Sequence, residues 1–175
     1  PKGPHLAIVT NAGGPGIISA DAVERSQVKM ASFTKSTIDE LRANLPAAAA
    51  LYNPVDVIGD ADAERYKKGL EIVLRDPNVD GLMAVFTPQA MSNPQETGQA
   101  VASIVNSNKP IIASFIGGPA VKPGIDAMKR VGIPNYLYPE RAVTAFEALV
   151  KYQQWRSSPQ RKRETFDANK QVVKE

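Results

Sequence analysis

Three uninterrupted apolar runs, LAIVT (6–10), GLMAVFT (81–87) and PIIASFIG (110–117), constrain this chain more than any other feature. A strand with one wet face alternates apolar and polar side chains. A run without alternation implies a strand covered on both faces, the pattern of a parallel sheet. Each run ends in a loop of glycine, proline, asparagine or other small residues, and each loop opens a stretch with helical apolar spacing.

Two shorter segments, KMASF (29–33) and residues 135–138, complete an expected set of five strands. The expected helices begin with 17–28, which turns Ile18, Ala22 and Val23 inward. STIDELRANL follows, opened by a Thr37/Glu40 capping box. A third helix is capped by Asp60 or Asp62 and buries Tyr66, Leu70, Val73 and Leu74. Further helices are expected over 95–107, up to Gly132, and over 140–155. This alternation predicts an α/β fold, a flavodoxin-like doubly wound parallel five-stranded sheet with helices on both faces. Right-handed crossovers then gather the strand C-terminal ends at one rim. The loops there are 11–16, 53–59, 87–93 and 117–120, and ligands of open α/β sheets sit at such a rim.

Several function classes drop out. The absence of cysteine excludes disulfides and thiolate metal sites. No apolar run has the length of a membrane span, and the expectation is a cytoplasmic protein. The net charge of +3 is local: RSSPQRKR (156–163) holds four positive charges and no negative one. With one tryptophan in the chain and no aromatics interleaved with that run, a nucleic-acid face is not expected. The single histidine, His5, precedes the first strand at the end opposite the rim, so it reads as an idle surface residue. No Ser-His-Asp triad and no metal cluster can be assembled.

The loop NAGGPG (11–16) stands between a buried strand and a helix. Glycine lets helix N-terminal amides approach an anion, and proline in the first turn sacrifices no helix hydrogen bond. Taken alone it reads equally as an anion cup or as a tight strand–helix turn. It lacks the Lys-Ser/Thr of a P-loop and the spacing of a dinucleotide fingerprint. Asp56 lies between two valines and reads as a brace for the neighbouring loop or as a substrate contact. Gly117 and Gly118 of GGPAVKPG offer a second set of backbone amides. Lys122 is a candidate counter-charge or a solvated lysine. The uncharged TPQA segment suits the wall of an acyl pocket.

LAIVTNAGGPGIISADAVE, NPVDVIGDADAERYKKGLE, DPNVDGLMAVFTPQA, KPIIASFIGGP and GIPNYLYPERAVTAFEALVKYQQW, in unbroken order over about residues 2–157, closely resemble one domain of the ADP-forming acyl-CoA synthetases, the acetate–CoA ligases. The match is to the second flavodoxin-like ligase domain of the alpha part, related to the C-terminal domain of the succinyl-CoA synthetase beta subunit. The resemblance implies a reversible reaction, acyl-CoA, ADP and phosphate to acid, CoA and ATP, through an acyl phosphate and a phosphohistidine. It implies that Asn11, Gly13, Gly14 and Gly16 contact the phosphohistidine through backbone amides, and that Thr87, Pro88, Gln89 and Ala90 line the acyl pocket. Asp56, Gly117 and Gly118 would be a supporting loop. Residues 1–157 would be the domain, and 158–175 a basic linker or the start of a hinge. The implied partners are CoA-binding, phosphohistidine and ATP-grasp domains and a small carboxylic acid or acyl group. No cofactor is expected on this domain itself. CoA, ADP or ATP and Mg belong to the complete enzyme. The family's Ser-His-Thr-Gly motif is absent here, so the chain alone is expected to be inactive. Similar regions are also fused to protein lysine acetyltransferases, which leaves a regulatory or interaction domain as the alternative reading.

Overall fold

The computed structural model describes residues 1–105 and 108–159. Five parallel strands form one sheet: β1 (His5–Thr10), β2 (Lys29–Met30), β3 (Val55–Asp56), β4 (Gly81–Phe86) and β5 (Ile111–Phe115). The path runs β2-β1-β4-β5, and β3 also pairs with β1. Six helices complete the chain: α1 (Gly13–Glu24), α2 (Lys35–Asn44), α3 (Ala63–Arg75), α4 (Pro94–Ser103), α5 (Lys122–Arg130) and α6 (Pro139–Ser157). The flavodoxin-like arrangement expected from the three apolar runs is present, with β1, β4 and β5 as its centre.

Its edges differ from expectation. Residues 135–138 form no strand; only Asn135 bridges Ala113, and its side chain accepts the Phe115 N–H at 2.8 Å. The fifth strand is instead Val55–Asp56, two residues long and without an apolar run to betray it. Strand β2 shrinks to two residues for a related reason. It pairs with the start of β1 (His5, Leu6), while β3 pairs with its end (Val9, Thr10), so both share one edge. Between them sits the Asn53 carboxamide. Its Oδ1 accepts the Ile8 N–H at 2.9 Å, and its Nδ2 donates to Leu6 O at 2.9 Å and Ala31 O at 3.1 Å. A side chain thus replaces the backbone rung at the point where one strand hands over to the next.

The caps also depart from the expected ones. Helix α2 is capped by Thr34, whose hydroxyl accepts the Thr37 N–H, so Thr37 lies inside the helix and is buried. Asp62, not Asp60, caps α3. Helix α4 starts at Pro94 under an Asn93 cap, and the last two residues of the expected 95–107 helix lie outside the described residues. So does the expected linker from residue 160 onward.

Two apolar layers hold the sheet. Leu6, Ile8, Met83, Val85 and Ile112 pack under Val23 of α1 and Ala142, Val143, Phe146 and Val150 of α6. On the other face Val9, Leu82, Phe86 and Phe115 meet Leu41, Tyr66, Leu70, Val101 and Met128 of α2–α5. Helices α4 and α5 touch backbone to backbone, since a Cβ on Gly98 would lie 2.3 Å from Gly124 Cα. At the end of α3, buried Asp76 accepts the Thr34 N–H (2.8 Å), the Thr34 hydroxyl (3.1 Å) and the Asn78 N–H (2.8 Å). Because α1 leaves β1 toward one face and α4 leaves β4 toward the other, the chain diverges between β1 and β4. That divergence is the switch point where such folds bind ligands.

Candidate functional site

At this divergence the helix begins earlier than its sequence suggests. Residues 13–16, expected as loop, are the first turn of α1, and the buried stripe is Gly16, Ser19 and Val23. Ile18, expected inward, is exposed. Glycine at the first two helical positions and proline at the third cost little, because those amides have no intrahelical acceptor. The turn before it is locked by Thr10, whose Oγ1 donates to Ala12 O at 2.9 Å and accepts the Ala12 N–H at 3.0 Å.

The rim residues picked out in the sequence lie close together, with different degrees of exposure. Gly13 and Gly14 are exposed, and among the described residues nothing accepts their amides. The Gly16 amide is engaged, bonding Ala12 O at 3.3 Å. Asn11 is 1% exposed and faces inward: its Nδ2 donates to Thr87 O at 2.8 Å, and its Oδ1 accepts the Thr87 N–H at 2.9 Å. Asp56 is half-buried; Oδ1 accepts the Ile58 N–H at 2.8 Å, and Oδ2 lies 3.6 Å from where a Gly13 Cβ would stand. That bond holds Ile58 at φ 73°, a backbone state β-branched residues avoid. A Cβ on Gly59 would stand 3.5 Å from Gln89 Cγ and 3.7 Å from Asn11 O. One on Gly117 would strike Pro88 at 2.6 Å, so the loops after β4 and β5 meet this closely only with glycine at 117. Thr87 and Pro88 are half-buried, while Gln89 and Ala90 are exposed. The Gln89 Nε2 donates to Thr87 Oγ1 at 3.2 Å.

Electrostatically the rim is set by its helix ends. Helices α2, α3 and α4 carry side-chain caps on their first amides, whereas α5, α6 and, behind Ala12, α1 have none. The partial positive charge of the α1 end is therefore open to solvent, with the Asp56 carboxylate at its side. Burial raises the Tyr66 hydroxyl well above its ordinary pKa, and the charge on Asp56 adds to the effect. Tyr66 stays a neutral donor to Val85 O (2.6 Å) and Val9 O (3.2 Å), tying α3 across β1 and β4. Gly118 has φ 56° and opens a short 3-10 turn, Gly118–Val121, before α5. Lys122 is exposed and paired with Asp126 at 2.7 Å, so it is no counter-charge for the rim. His5 lies at the opposite edge, its Nδ1 2.8 Å from Asp80 Oδ2, in an open cavity of about 530 Å³ shared with Lys29, Ser32 and Asn78. Among the described residues no three His, Asp or Glu side chains converge as a metal site, and no helix is long and apolar enough to cross a membrane.

The buried clamp of Asn11 and the wedge of Asn53 were both missed by sequence reasoning. Each reaches a partner 45 or more positions away, and no local pattern marks it.

Residues 6–161 match the Ligase-CoA domain family. An ADP-forming acetate–CoA ligase I of Archaeoglobus fulgidus is 39% identical over 168 residues, 96% of this chain and 24% of that protein. The alpha subunit of the ADP-forming acetate–CoA ligase II of Pyrococcus furiosus is 39% identical over 156 residues, 86% of this chain and 34% of that subunit. The chain thus spans between a quarter and about a third of these relatives. Among solved structures, dinucleotide forming acetyl-coenzyme A synthetase 1 of Ca. Korarchaeum cryptofilum, in complex with phosphate and ADP, superposes with a TM-score of 0.81. It shares 30% identity over 90% of this chain and 34% of that one. With the family covering nearly all of the described fold, the chain belongs to the Ligase-CoA domain family.

Proposed function

We propose that this domain works inside a larger ADP-forming acid–CoA ligase as one half of the cradle for a phosphohistidine. The exposed amides of Gly13 and Gly14, at the open end of α1, take phosphoryl oxygens carried in by a histidine of another domain. The Thr87–Ala90 loop stands on the other side of the switch point and lines the acyl group. The domain's contribution is electrostatic: fixed N–H dipoles lower the energy of charge on the phosphoryl oxygens, and no side chain here acts as nucleophile. Asp56 holds its loop in place, and Gly117 lets Pro88 pack. The carrying observation is the uncapped, exposed first turn of α1 at the switch point. The phosphate and ADP bound by the Korarchaeum relative support the reading.

CoA-binding, phosphohistidine and ATP-grasp domains of the same enzyme are the partners in this reading, and CoA, nucleotide and Mg²⁺ bind there. Cytoplasmic residence belongs with this reading. The test is Gly14→Asp in the complete ligase. A Cβ on Gly14 has no heavy atom within 4 Å, so the fold is kept while a carboxylate fills the cup. Histidine phosphorylation from acyl-CoA and phosphate is expected to vanish, and Gly14→Ala to retain it. A wild-type rate in Gly14→Asp refutes the proposal.

A further inference from the structure

At the switch point the Asn11 side chain joins the two diverging segments. Backbone pairing of β1 with β4 ends at Thr10 and Val85. Beyond it the two chains part, one into α1 and the other into the Thr87 loop. Asn11 adds one more rung with its carboxamide, donating to Thr87 O and accepting the Thr87 N–H at 2.8 and 2.9 Å. Both functions are needed at this reach. Aspartate lacks the donor, glutamine is a methylene too long, and aliphatic residues have neither. Asn11 is also fixed from its own side, because the Thr10 hydroxyl bonds both polar groups of the Ala12 backbone. The start of α1 and the loop after β4 are therefore joined through this amide.

We infer that Asn11 is a positioning residue that holds the acyl-lining Thr87 loop at a fixed offset from the phosphoryl-binding turn of α1, so that acid and phosphoryl group meet in line. This rests on the function proposed above and assigns Asn11 a role other than anion contact. Removing the clamp frees the Thr87 loop while leaving Gly13 and Gly14 in their helix. Thr87 is half-buried, so water can take over its two backbone bonds and the domain still folds.

The experiment is Asn11→Ala in the complete ligase, with Asn11→Asp as the isosteric second variant, which replaces the donor by a carboxylate oxygen facing the Thr87 carbonyl. The measurements are the KM for the acid, the KM for ATP and the rate of histidine phosphorylation by ATP. The expected result for Asn11→Ala is a rise of about tenfold or more in the KM for the acid, with the other two within about twofold of wild type. Asn11→Asp should move the same way and carries the test if Asn11→Ala does not fold. An acid KM unchanged in a folded variant overturns the positioning role. If Gly14→Asp blocks phosphorylation from acyl-CoA and phosphate while Asn11→Ala keeps a wild-type acid KM, only this inference fails. If Gly14→Asp is fully active, the underlying reading fails instead.

Discussion

Asn53→Ala tests whether a side chain can stand in for a stretch of sheet. In an unbroken parallel ladder the rung after Ala31 N–H to Leu6 O, which is present at 2.9 Å, would join Ile8 N–H to Ala31 O. Asn53 is inserted in that rung. Truncation leaves the Ile8 N–H and the Ala31 carbonyl without their partners, and both residues are buried. Leu6 O keeps the Ala31 N–H and loses less. Two buried, unsatisfied backbone groups at roughly 1–3 kcal/mol each put the loss at roughly 2–6 kcal/mol. Total stabilities are about 5–15 kcal/mol, so the variant should be visibly marginal. For a chain of this size each kcal/mol moves the thermal midpoint by about 2–4 °C, so a fall of roughly 10 °C is expected. Far-UV circular dichroism on the 175-residue chain reads it. Asn53→Leu, which fills the space without bonding, should fall by a similar amount. A midpoint within about 2 °C of wild type would show that Ile8 and Ala31 close the rung directly, and the reasoning would be wrong.

Two further outcomes follow from other contacts. Gly98→Ala places a methyl 2.3 Å from the Gly124 Cα, where only backbone can yield, so α4 and α5 must separate. Overpacking of this kind costs about 1–3 kcal/mol or more, and chemical denaturation with an unchanged midpoint would refute it. Burial pushes the Asp76 carboxyl up, but bonds from Thr37, from the Thr34 amide and hydroxyl and from the Asn78 amide outweigh it and hold it below its ordinary pKa. Its folded value being lower than the unfolded one of about 3.9, its stabilisation is present above about pH 4 and is lost as pH falls through the lowered folded value. Unfolding midpoints taken down through that range should drop, and Asp76→Asn should flatten the fall; equal slopes in both proteins would remove Asp76 as the cause.

What could be read from the sequence was what repeats locally. LAIVT, GLMAVFT and PIIASFIG became β1, β4 and β5 because burial on both faces leaves a run that needs no partner to be recognised. The stripe Tyr66, Leu70 and Val73 became the inner face of α3 for the same reason. Edges escaped, since β3 is made by pairing alone and Asn135 contributes a bridge where a strand was expected. At the rim, the loops singled out in the sequence do lie side by side. Glycines 13 and 14 read as loop but are helix, because an N-terminal turn asks for no amide acceptor. The Asn11 side chain turned out to be a clamp on Thr87, which no local pattern announced. Bonds spanning 45 or 76 positions leave no periodic trace.

The last turns of α6 carry a practical consequence. Among the described residues beyond Val150 only Gln153 is partly covered, and Trp155, the chain's sole tryptophan, is 73% exposed beside Tyr152, ring centroids 5.9 Å apart. Its indole already sits in water while the sheet is intact, so intrinsic fluorescence will barely register melting and will report a two-state protein as featureless. The same emission is a built-in gauge of whatever settles against that helix end, shifting blue on contact and back on release, with no label added.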